Sequence, residues 1–148
     1  MIDYFLKETE VLVPAPSVAA FIVLEDGRYL MQERDQKAGI FYPGHWGLFG
    51  GAMNPGEEPE VALRRELDEE LGLKSFRARH VTDFSFGFGR FGQMPRHYYD
   101  VQLAAAAIRT LTLGEGRAMR PFAASELLTM PRVVPYDSFA IFLRESGY

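Results

Sequence analysis

The chain of 148 residues contains no cysteine. That excludes a disulfide scaffold, a cysteine nucleophile and a thiolate metal site. It also lacks any apolar run near the ~20 residues that a membrane helix needs. Met1 to Glu10 scatters Asp3, Lys7, Glu8 and Glu10 among apolar residues. There is no basic start followed by an apolar stretch, so this segment does not read as a signal peptide, and the expected location is the cytoplasm. A basic excess is missing too: 16 Lys and Arg stand against 20 Asp and Glu, a formal charge of −4. That argues against a long nucleic-acid groove. No repeat, low-complexity tract or linker interrupts the chain, and a single domain over residues 1–148 is expected. What is present suits a packed core. Apolar residues make up 47% and aromatics 14% of the sequence, which rules out a disordered chain.

The elements can be read in order. Val18 to Leu24 is a continuous apolar run of strand length. Asp26-Gly27 marks a hairpin turn, and Tyr29 to Glu33 alternates as a second strand. Asp35 to His45 reads as a loop, followed by a short strand over Trp46 to Phe49 and the pair Gly50-Gly51. Asn54-Pro55-Gly56 is a turn. A helix should begin near Glu58 or Pro59 and stop at Gly72, with Leu63, Leu67 and Leu71 forming a buried stripe. Phe76 to Arg79 and Val81 to Phe86 read as strand pieces, Gly87 to Pro95 as a loop, and His97 to Ile108 as the longest strand. Ala104 to Ala107 suits a helix as well. A turn at Gly114-Glu115-Gly116, a short helix at Ser125 to Leu128 and a terminal helix over Tyr136 to Glu145 complete the order. The pattern suggests a sheet between helices.

Charge is concentrated in one place. Glu57 to Glu70 holds seven acids and two arginines, and the rest of the chain is close to neutral. On a helix, Glu66, Glu69 and Glu70 stand at i, i+3 and i+4, within an arc of roughly 100°. Like charges at that spacing repel, and helix propensity does not ask for them. A hard divalent cation such as Mg²⁺ or Mn²⁺ offsets the repulsion, because such ions prefer oxygen ligands. Gly50-Gly51 lies just upstream, where backbone can approach a ligand closely.

The segment Gly51 to Leu73 resembles the Nudix box. Gly51, Glu57, Arg65, Glu66, Leu67, Glu69, Glu70, Gly72 and Leu73 fill every specified position at the required spacing. Trp46 to Gly51 looks like the family's lead-in, although proline is common where Phe49 stands. Glu115 through Phe122 to Glu126-Leu127 is similar to a recurrent downstream segment. The resemblance implies an α/β/α sandwich with a mixed central sheet. It also implies Mg²⁺- or Mn²⁺-dependent hydrolysis of a pyrophosphate bridge in a nucleoside diphosphate linked to another moiety. The expected metal set is Glu66, Glu69 and Glu70, with a backbone carbonyl at Gly50 or Gly51 and Glu57 in an outer or supporting position. Arg65 is expected to orient the glutamates. The general base is Glu69 or Glu70 within the box, or Glu115 outside it.

Specificity in this family lies outside the box. Candidate substrate contacts are Trp46, Arg90, Phe91 and Arg96, with Phe88 and Tyr98 nearby and Lys37, Phe41, Tyr42 and His45 in the earlier loop. His80 and His97 read as isolated histidines, structural or on the surface. Some Nudix subfamilies carry a proline (ADP-ribose hydrolases) or a tyrosine (diadenosine polyphosphate hydrolases) about 16 to 18 positions beyond the box. This chain has Gly89, Arg90 and Phe91 there. The preferred substrate is therefore a nucleoside triphosphate or related small nucleotide, with ADP-ribose or a nucleotide sugar as the alternative. A non-catalytic nucleotide-sensing module and hydrolysis of RNA ends are further readings. A homodimer is left open through the apolar N-terminal residues Tyr4, Phe5, Leu6 and Val11 to Val13.

Overall fold

The apolar run read as a strand lies at the centre of a mixed sheet. In the computed structural model, which describes residues 13–37 and 39–147, β1 spans Ser17–Leu24. Its neighbours are β6 (Gln93–Leu103), parallel, and β2 (Tyr29–Glu33) and β4 (Phe49–Ala52), both antiparallel. β1 has no polar face because helices cover both sides of it. Val18, Ala20, Ile22 and Leu24 pack with Leu63, Leu67 and Leu71 of helix α1 (Pro59–Leu71). Ala19 and Phe21 pack the other way, with Ala140 and Ile141 of α3 (Pro135–Glu145) and Leu127 of the short α2 (Ala124–Leu127). The architecture is the expected α/β/α sandwich.

The sheet forks at β1. The strands β1 and β2 meet at Val23 and Tyr29, beside the Asp26-Gly27 turn, and then diverge. The segment Trp46–Ala52 fills the gap: β3 (Trp46–Gly47) pairs with β2, and β4 pairs with β1. The two glycines that precede the box therefore sit inside the sheet, at its split, rather than in an exposed loop.

α1 begins and ends where its sequence signals stand. Pro59 occupies the first turn, where its missing N–H costs nothing. At the other end Gly72 turns left-handed at φ +65°. Its N–H donates to the Asp68 carbonyl, and the Leu73 N–H donates to the Leu67 carbonyl, which closes the last turn.

Four elements differ from the sequence expectation. The two strand pieces after the box merge into β5 (Ala78–Gly87), with a register shift between His80 and Thr82. β6 starts at Gln93, so Pro95 lies within a strand. It precedes Arg96, the first residue paired with β1, and the strand is still an edge on that side. The alanine run leaves the sheet as a 3₁₀ segment, Ala105–Thr110. A strand not anticipated, β7 (Ala118–Phe122), pairs with β2 alone, which is why its Pro121 is tolerated. The N-terminal apolar residues suggested as a dimer contact lie outside the described residues except for Val13, which is exposed.

Candidate active site

The acids of α1 do not stand alone against solvent. Glu66, Glu69 and Glu70 line a cleft of about 250 Å³ together with Glu115, Gln32, Asp35, Lys37 and the Gly50–Ala52 backbone. Sheet, helix and a distant turn converge there, and glycine is required at each approach. A Cβ on Gly51 would lie 2.6 Å from the Glu66 carboxyl group, and one on Gly50 would lie 2.0 Å from the Val18 carbonyl oxygen. On the opposite side a Cβ on Gly114 would lie 2.5 Å from the Glu69 carbonyl oxygen. The Gly114 N–H donates to the Glu70 carbonyl at 2.7 Å, which docks the turn on the helix and brings the next residue, Glu115, to the cleft.

Arg65 ties the acids together. Its Nε and Nη2 donate to both oxygens of Glu57 at 2.9 and 2.8 Å. Nη1 donates to Glu66 at 2.9 Å and to Glu69 at 3.4 Å, and Nη2 also donates to the Ala52 carbonyl at 3.0 Å. The planar guanidinium matches such a forked set of acceptors. Glu57 itself accepts the Asn54 N–H. These bonds, from Arg65 first, hold its carboxyl well down, at about 2.

Glu70 has the opposite environment. It is 2% exposed, and burial pushes its carboxyl up to about 9, with the charges of Glu66 and Glu115 adding to the effect and the Gly50 amide opposing it. Its one side-chain amide partner is Gln32 Nε2 at 3.3 Å. Burial likewise raises Glu66, against the pull of Arg65. A buried acid facing two further carboxylates is costly to ionise without a cation. The donor set is all oxygen and strongly acidic, which fits Mg²⁺ or Mn²⁺.

A second cavity of about 530 Å³ adjoins the acidic cleft, sharing Arg34, Ile40, Gly50, Gly51 and Ala52 with it. Phe41, Tyr42, Phe86, Phe88, Met94 and Tyr136 give it aromatic and apolar walls. Of the residues singled out for substrate contact, Arg96 lines this cavity. Its guanidinium is bound to Asp137 at 3.1 Å, to Tyr98 Oη at 3.1 Å and to Ser17 Oγ at 3.1 Å. Trp46 packs on Phe122 at 4.9 Å between ring centres and is not among the lining residues of either cavity. Arg90 and Phe91 form the 3₁₀ turn Gly89–Phe91, with the guanidinium over the ring, and are also outside both linings. Phe88, Phe41 and Tyr42 stand in the wall instead. Phe41 meets Phe88 at 5.9 Å and Tyr42 meets Tyr136 at 5.8 Å.

Sequence reasoning missed Asp137. It stands in the first turn of α3, is 1% exposed and accepts the Leu48 N–H at 3.1 Å as well as Arg96 and Tyr98 Oη. No local signal marks it, because its partners are 39 to 89 residues away in sequence. Gln32 was missed for a like reason, its carboxylate partner Glu70 being 38 residues away, and Arg34, bonded to the Phe41 carbonyl, was missed as well.

A glutamate helix with a glycine-containing segment packed against it is the arrangement that the Nudix-box resemblance led us to expect. Comparison with known proteins agrees: the NUDIX domain model matches residues 13–140, and the chain belongs to the Nudix family. A nucleoside triphosphatase, NudI, of Escherichia fergusonii is 49% identical over 65 residues, which are 44% of this chain and 45% of that protein. The match thus spans less than half of that relative's length. The MutT protein of Methanosarcina mazei has the same fold, at 24% identity and a TM-score of 0.72 over 92% of this chain and 99% of that one. So does the NUDIX domain of Shewanella oneidensis NrtR, complexed with ADP ribose, at 17% identity and a TM-score of 0.70 over 92% and 90%.

Proposed function

We propose that the chain is a pyrophosphohydrolase that uses Mg²⁺ or Mn²⁺ to cleave a P–O–P bridge in a small nucleotide, preferentially a nucleoside triphosphate. One observation carries this reading: five carboxylates from three separate segments line a cleft that adjoins an aromatic cavity large enough for a nucleoside. The arrangement gives base and phosphates separate, adjoining places. The name of the NudI relatives supports a triphosphate as substrate.

Glu66, Glu69 and Glu70 would hold the cation, with the Gly51 backbone beside Glu66 and Glu57 acting through Arg65. When bound, a divalent ion neutralises the phosphate oxygens and acidifies water. The protein's own residues do the rest. Arg65 fixes the rotamers of Glu57, Glu66 and Glu69, so the acids need not reorganise as substrate arrives. Gly51 leaves room for the Glu66 carboxyl group. Glu69 and Glu115, both exposed to the cleft, are placed to take a proton from the attacking water, as is Glu70 once it is ionised. The new P–O bond forms as the bridging P–O bond breaks, and the proton returns to the leaving phosphate. In the adjoining cavity Phe41, Tyr42 and Phe88 offer ring faces to a base.

The second reading is hydrolysis of ADP-ribose or a nucleotide sugar. The Nudix domain of NrtR, complexed with ADP ribose, favours it. A purely sensing module is disfavoured by the complete acid set.

Product release from a panel of nucleoside triphosphates, ADP-ribose, nucleotide sugars and dinucleoside polyphosphates tests the proposal, with and without EDTA. Glu66→Gln and Glu70→Gln should each lower kcat at least about a hundredfold while the circular dichroism spectrum is kept. Near-normal rates in both variants at saturating Mg²⁺ would remove the metal assignment. Turnover of ADP-ribose alone would select the second reading.

A further inference from the structure

His80 and His97 are 17 positions apart in sequence, yet their rings share one acid. His80 Nε2 lies 2.6 Å and His97 Nδ1 lies 2.8 Å from the same oxygen, Oδ1 of Asp83. All three side chains offer a ligand atom within 4.8 Å of the others. The reason is the irregularity in β5. Residues three apart on a regular strand face opposite sides of the sheet. The register shift between His80 and Thr82 leaves Val81 unpaired, so His80 pairs with Tyr99 while Asp83 pairs with His97. His97 and Tyr99 share a face, and the bulge therefore places His80 and Asp83 on that face together. Val81 and Phe84 pack in the core on the opposite side. The face is the α1 side of the sheet, where Tyr99 packs and where Glu58 and Glu60 add negative potential.

We propose that His80, Asp83 and His97 form a second metal site, for a borderline divalent transition ion of the Zn²⁺ class, separate from the glutamate cleft. Two imidazole nitrogens and one carboxylate oxygen suit that class and are poor ligands for Mg²⁺. The two centres are thus chemically orthogonal. Each histidine presents its lone pair at the nitrogen now facing Asp83, and its proton moves to the other ring nitrogen. Three protein ligands leave a position for water, which makes the ion exchangeable. The site also has a consequence for the fold. It staples β5 to β6 at the base of the hairpin that carries Phe86, Phe88, Met94 and Arg96 to the aromatic cavity. The inference does not depend on the proposed hydrolase activity.

The test is titration of the full chain with Zn²⁺ by calorimetry, in buffer holding excess Mg²⁺. One ion should bind per chain in the micromolar range and raise the melting temperature by several degrees. His80→Ala, His97→Ala and Asp83→Asn, at exposed or half-exposed positions, should fold normally. Each should weaken Zn²⁺ by about a hundredfold, as a lost ligand costs at least what a lost supporting group does. Glu66→Gln with Glu70→Gln should leave Zn²⁺ binding unchanged. Co²⁺ should give a visible absorption band that vanishes in the histidine variants. Absence of Zn²⁺ binding, or binding lost in the glutamate variants and kept in the histidine variants, would overturn the proposal.

Discussion

Gly51 and Arg65 show how single residues set the cleft. The need for glycine at position 51 comes from the Glu66 carboxyl group, which occupies the space a Cβ would take. Gly51→Ala should therefore displace Glu66 without unfolding the chain. A shift near 1 Å at a catalytic group costs about a hundredfold in rate, so kcat should fall by that order while the melting temperature stays within a few degrees. Wild-type kcat in the alanine variant would show that Glu66 does not need its present position. The resemblance implies an orienting role for Arg65. Its bonds to Glu57, Glu66, Glu69 and Ala52 leave the guanidinium fully engaged within the protein.

Among the elements, α1 was legible from sequence and the anchoring of α3 was not. Leu63, Leu67 and Leu71 predict the buried face of α1, and all three are fully buried. The start of α3 is held by a buried ion pair, Asp137 with Arg96 of β6, alongside the Leu48 N–H between β3 and β4. Removing one member leaves the other charged and unpaired in the interior. Arg96→Met should destabilise by about 3–5 kcal/mol, lowering the melting temperature by roughly 10 °C. Adding Asp137→Asn should restore part of that loss, because the amide carries no charge. A melting temperature unchanged in the single variant would mean that solvent reaches Asp137.

At the scale of the whole molecule, stability should respond to alkali. Tyr29, Tyr42, Tyr98, Tyr99 and Tyr136 all have hydroxyls raised above their ordinary value of 10.0, with burial the first cause. Tyr29 and Tyr98 also face carboxylates, Glu145 and Asp137. A folded-state value above the unfolded one gives stability that is complete below pH 10 and is lost as pH rises beyond it. Tyrosinate absorbance should therefore rise together with loss of near-ultraviolet circular dichroism, above pH 10. Independent titration of all tyrosines near 10 in a folded chain would contradict the burial. Mg²⁺ should act in the opposite sense and raise the melting temperature at neutral pH, an effect that Glu70→Gln removes.

The sequence by itself determined the acid helix, its two ends and its family. These rest on short-range spacing: Glu66, Glu69 and Glu70 on one face, the leucine stripe beside them, Pro59 and Gly72 at the limits. It also marked Val18 to Leu24 as an apolar strand; that helices cover both of its faces came from the structure. Tertiary structure decided what lies opposite those acids. Glu115 and Gln32 reach the cleft through a docked turn and a neighbouring strand, and the aromatic wall takes Phe88 rather than Phe91, at contacts dozens of residues apart. Asp137, in the first turn of α3, is a buried counter-ion only because β6 brings Arg96 to it. His80 and His97 meet only because a bulge turns one strand by a residue. Local spacing is written along the chain, whereas strand register and bulges arise from pairing between distant segments, which one sequence read alone does not display.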